Sequence, residues 1–75
     1  MSETDKLDGE RGFLHDIANP LAIGFGNLEV ALTKLTGDPN TPREFIIDRL
    51  SRAVKALERA NQMVEQRRAE LQREE

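Results

Sequence analysis

The sequence predicts an all-α protein, an antiparallel helical hairpin that dimerises into a four-helix bundle. Three observations lead to this expectation. Two long segments carry apolar residues in alternating steps of four and three, which is the mark of a helical seam. A short run of turn formers, Thr36-Gly37-Asp38-Pro39-Asn40, separates them. Both segments are apolar over more than one stripe, and a chain of 75 residues cannot hide two such faces in one hairpin.

Composition narrows the alternatives. The chain has no cysteine and one histidine, so disulfides and thiolate metal sites are excluded and no metal site is expected. Oligomerisation is then the remaining way to stabilise so small a domain. The net charge of −3 and the pI of about 5.2 come from interleaved charges, whereas a duplex-binding surface is usually basic. Nucleic acid is therefore not an expected partner. No stretch approaches the roughly twenty apolar residues of a membrane span, and the polar start lacks the apolar core of a secretory signal. A cytoplasmic chain without direct membrane contact is expected.

Residues 1–12 are polar, contain Gly9 and Gly12, and offer Leu7 as their one apolar anchor after Met1, so they are expected to form a flexible segment. The hairpin domain is placed at residues 13–73, with its first helix over about residues 10–36 and its second over about 42–72. In the first helix the seam is Leu14, Ala18, Leu21, Phe25, Leu28, Leu32 and Leu35, and Ile17, Gly24 and Ala31 widen it on one side. Pro20 removes a backbone donor inside this helix and predicts a bend over residues 16–20. Gly24 and Gly26 each cost about 1 kcal/mol relative to alanine. Together they mark a hinge, or a place where another backbone approaches closely.

Gly37 is expected to end the first helix in a left-handed cap, with Pro39 preventing its resumption. Thr41, Pro42 and Glu44 then read as N-cap, first helical residue and capping-box partner. Along the second helix Ile46, Leu50, Ala53, Leu57, Ala60 and Val64 form the seam, with Ile47 and Val54 beside it. The opposite side is charged, from Asp48 and Arg52 through Lys55, Glu58 and Arg59 to Glu65, and reads as a solvated face.

The single histidine gives this scaffold its chemistry. With the seam at heptad positions a and d, His15 falls at e and Asp16 at f, both outside the core. Asn19 lies one turn on, about 40° around the helix from His15. A neutral imidazole offers a nitrogen lone pair to a phosphoryl group, a neighbouring carboxylate can orient the ring or accept its proton, and an amide can hold a water or phosphoryl oxygen in line. Ala22, Ile23 and Gly26 continue along the same side as small or apolar residues, which suggests a docking surface for a partner protein.

Taken whole, Phe13 to Leu35 resembles the dimerisation and histidine phosphotransfer domain of sensor histidine kinases. The motif of that family is a histidine, an acid, two variable residues, threonine or asparagine, proline and a hydrophobic residue; His15, Asp16, Asn19, Pro20 and Leu21 fill those places. Gly26, Leu28 and Glu29 stand where family members often carry glycine, leucine and glutamate. The second helix agrees in length and periodicity. Ala18 departs from the pattern, because many members carry a basic or polar residue there.

The resemblance implies that His15 is the phosphoacceptor, that Asp16 is the acid assisting its phosphorylation, and that Asn19 positions water when a partner is dephosphorylated. Pro20 would be the hinge. No glycine-rich nucleotide loop occurs and no ATP-binding domain follows the hairpin, so no cofactor is expected in this chain. ATP and magnesium would belong to the ATP-binding domain of a histidine kinase, acting in cis or in trans. The expected partners are a second copy of the chain, that kinase domain, and a response-regulator receiver whose aspartate takes the phosphate from His15. The chain would be either an excised piece of a larger kinase or a stand-alone module. The competing expectation is a non-catalytic dimerising adaptor that binds a kinase or regulator without being phosphorylated.

Overall fold

The computed structural model describes residues 3–74, with side chains described over residues 9–73. It contains two helices, α1 from Glu3–Gly37 and α2 from Arg43–Glu74. They run in opposite directions. Asn27 meets Arg49, Gly24 meets Ala53 and Leu57, and Asp16 shares a recess with Met63 and Arg67, so positions rising along α1 pair with positions falling along α2. The principal extents are 57 × 19 × 12 Å, those of a rod about as long as one of its helices. Neither helix is long and apolar enough to cross a membrane.

Helix α1 starts earlier than the sequence suggests. The segment expected to be flexible, residues 1–12, is helical from residue 3 on, because two isolated glycines weaken a helix without breaking it and no proline precedes Pro20; residues 1 and 2 lie outside the described residues. The helix also runs through Pro20 as one element. Pro20 is the largest fully buried side chain, so its ring is covered by α2 while the missing amide leaves the Asp16 carbonyl without its usual helical donor.

The two helices meet along a line that differs from the expected seam. On α1 the buried residues are Ile17, Pro20, Gly24 and Ala31, and half-buried Asn27 completes their alternating steps of three and four. On α2 the matching line is Ile46, Arg49, Ala53, Ala56 and Ala60. These residues are mostly small, which lets the helices approach closely and leaves little room for leucine. Leu14, Leu21, Phe25, Leu28, Leu32 and Leu35 instead stay exposed, as do Ile47, Leu50, Val54 and Leu57 on α2. Each helix therefore carries two adjacent heptad lines, one of small residues closed inside the hairpin and one of large residues left open.

The turn is built around Asp38. The Asp38 amide closes the last bond of α1 onto the Lys34 carbonyl at 3.0 Å. The Asp38 side chain accepts from the Asn40 amide at 2.9 Å, and its carbonyl accepts from the Thr41 amide at 3.2 Å. Gly37 does not take the left-handed conformation expected of it, because the Asp38 turn reverses the chain without one. The expected capping box is also not formed. Helix α2 begins at Arg43, which leaves Thr41 one residue too early to reach the first-turn amides, and its Oγ1 is buried without a partner among the described residues. Glu44 still complements the dipole at the start of α2.

Candidate functional site

The site lies on the outer side of α1, away from both apolar lines. Helical geometry dictates this placement. Ile17 and Pro20 face α2 and Leu14 and Leu21 lie on the open apolar line, so the remaining arc of the same two turns carries His15, Asp16 and Asn19. The His15 side chain is 89% exposed and that of Asp16 70%. The Nδ1 atom of His15 stands 3.6 Å from Oδ1 of Asp16, too long for a direct hydrogen bond and close enough to bias the ring's orientation electrostatically. This leaves Nε2 as the nitrogen turned from the carboxylate.

His15, Asp16 and Asn19 line one open recess of about 670 Å³ together with Ala18, Arg59 and Met63. The three motif residues expected to act together are thus brought together. Arg59 and Met63 were not singled out from the sequence, where Arg59 belongs to a helix face read as solvated. A signal for Arg59 existed all the same. Its neighbours three and four residues away are Lys55, Ala56, Gln62 and Met63, so no acid is available to it along α2.

A smaller recess of about 300 Å³ adjoins the first and shares Arg59 with it. Ile23 lines it beside Pro20 and Asn27 of α1 and Arg52 and Lys55 of α2. Of the residues expected to form a docking strip, Ile23 alone borders this recess. Gly26 borders a separate depression with Glu29, Val30, Thr33 and Lys34, and Ala22 is exposed and borders neither. The division follows from the helix, since Ile23 is turned about 100° from Ala22.

Chemically, the arrangement offers an accessible imidazole nitrogen, a carboxylate beside the other nitrogen, an amide one turn on and a guanidinium from the second helix. A substrate group could approach from bulk solvent or on the surface of another protein. No family model matches the chain, and no curated protein or solved structure matches it either.

Proposed function

We propose that this chain is the histidine phosphoacceptor and dimerisation module of a two-component signalling pathway. The observation that carries the reading is the placement of His15, almost fully exposed on α1 with Asp16 beside Nδ1 and Asn19 in the same recess. In this reading the Nε2 lone pair attacks the phosphorus of a donor phosphoryl group, and the bond from phosphorus to the donor oxygen breaks. Asp16 stabilises the Nδ1–H of the resulting imidazolium. In the second step a receiver aspartate attacks the same phosphorus, the nitrogen–phosphorus bond breaks, and the imidazole leaves neutral.

Asn19 then positions a water for dephosphorylation of the receiver, and Pro20 acts as the hinge of α1. Ala22, Ile23 and Gly26 supply the docking surface for the receiver. A second copy of the chain covers the open apolar lines, giving a dimeric four-helix bundle, and the phosphoryl donor is the ATP-binding domain of a histidine kinase.

The test uses an active histidine-kinase domain and labelled ATP. Acid-labile, alkali-stable phosphate is expected on the wild type and absent from His15→Gln. Equal labelling of both proteins, or none on either while the donor is active, would replace the phosphoacceptor with a non-catalytic adaptor. With a phosphorylated receiver, Asn19→Ala is expected to slow loss of phosphate by about tenfold while leaving the dimer intact. An unchanged rate removes that role from Asn19.

A further inference from the structure

From the pairing of charges around the recess, we propose that Arg59 binds the phosphoryl group carried by His15, reaching it from the second helix of the same hairpin. This inference rests on the phosphoacceptor reading and names a residue that reading does not contain. Among the described residues Arg59 is the one permanently cationic side chain lining the recess with His15, Asp16 and Asn19. It makes no ion pair or side-chain hydrogen bond among the described residues. Three other arginines of α2 are held by carboxylates, Arg52 by Asp48 at 2.9 Å, Arg67 by Glu70 at 3.2 Å and Arg68 by Glu65 at 3.1 Å.

Electrostatics gives this unpaired guanidinium a task. A phosphoryl group adds close to two negative charges to a ring that already has the Asp16 carboxylate beside it. Asp16 favours the imidazolium formed during attack, but it also opposes arrival of the dianion. A cation on the far wall of the recess offsets that repulsion without displacing Asp16. The planar fork of arginine matches two phosphoryl oxygens at once. Arg59 also borders the recess containing Lys55, so the positive potential extends toward the surface from which a phosphorylated or acidic partner would approach.

Phosphoramidate, a small phosphoryl donor that releases ammonia as its phosphorus–nitrogen bond breaks, tests this with no kinase present. Phosphorylation is followed by phosphorus NMR on the wild type, His15→Gln, Arg59→Gln, Arg59→Lys and the distant control Arg68→Gln. The wild type and the control are expected to gain one phosphohistidine signal that His15→Gln lacks. Arg59→Gln is expected to gain it about fivefold more slowly, with its phosphoryl group titrating at higher pH, and Arg59→Lys to recover part of both effects. A normal rate and an unmoved titration in Arg59→Gln overturn the role of Arg59 while leaving His15 as acceptor. A slower rate with an unmoved titration and no recovery by lysine assigns Arg59 a structural role and overturns the proposal as well. Failure of the wild type to label above His15→Gln removes the phosphoacceptor reading, and this inference with it.

Discussion

Arg49 is the residue at which the hairpin is least comfortable. It sits on the line of small residues where α1 and α2 meet, and its surroundings satisfy only part of its guanidinium. Nη1 donates to Oδ1 of Asn27 at 3.2 Å, the group lies 5.3 Å from the centre of the Phe45 ring, and Nε is buried without a partner among the described residues. Asn27 is held in turn, since its Nδ2 donates to the Ile23 carbonyl at 2.8 Å and so points its oxygen at Arg49. A polar pair in an apolar line fixes register, because sliding one helix by a heptad would leave both members unpaired. Asn27→Ala is therefore expected to cost about 1 kcal/mol in urea unfolding, by stripping Arg49 of the one side-chain hydrogen bond it makes among the described residues. Adding Arg49→Met to it should restore at least wild-type stability, because the desolvated charge leaves with its partner. A double variant less stable than Asn27→Ala alone would show that the arginine contributes more than register. His15→Gln, at a highly exposed position, should change unfolding by no more than about 0.5 kcal/mol.

At the scale of the helix, two glycines that look alike in the sequence have different reasons to be there. A Cβ added to Gly24 would come within 3.1 Å of Cγ and Cδ2 of Leu57 and 3.6 Å of the Ala53 carbonyl, so α2 packs onto this bare backbone. A Cβ added to Gly26 would meet nothing within 4 Å. Gly26→Ala should accordingly stabilise the hairpin by about 1 kcal/mol, the propensity difference alone. Gly24→Ala should gain clearly less, because Leu57 must shift to admit it. Thermal unfolding of the two variants side by side checks the order, and equal gains would mean that α2 does not press on Gly24. The sequence supplied the close approach but not which glycine served it. The same limit runs through the fold. Periodicity located both helices, since steps of three and four survive any choice of partner. It did not separate the line of Ile17, Gly24 and Ala31 from the line of Leu14, Leu21 and Phe25, because both share that period and lie within a quarter turn of each other. Thr41 resembled a cap because the turn's geometry, set by the Asp38 side chain, is invisible in composition. His15, Asp16 and Asn19 were legible because one helix places all three. Arg59 was not, because its neighbourhood depends on how α2 registers against α1.

For the whole molecule the decisive feature is where the large apolar residues lie. On each helix the open line is turned by about a quarter turn in the same sense from the line that closes the hairpin. In two antiparallel helices equal rotations of this kind bring both open lines to the same side of the rod. Leu21, Phe25, Leu28 and Leu32 of α1 therefore share a face with Ile47, Leu50, Val54 and Leu57 of α2, and the His15 recess opens on the opposite one. A continuous apolar face along a 57 Å rod exceeds what soluble monomers usually leave in water, whereas a second hairpin laid across it completes a four-helix core. The surface carrying His15 would stay free in such an assembly. Phe25 is the sharpest probe, because at 64% exposure it supports little of the packing within one hairpin. Phe25→Glu should leave the helicity of the hairpin intact but raise the dimer dissociation constant at least about a hundredfold, since each dimer loses two buried rings and gains two buried carboxylates. Light scattering across micromolar concentrations reads this directly, as a dimer mass for the wild type and a monomer mass for the variant. A wild type that is already monomeric in that range, or a variant that keeps the dimer mass, would mean that something other than a second copy covers this face.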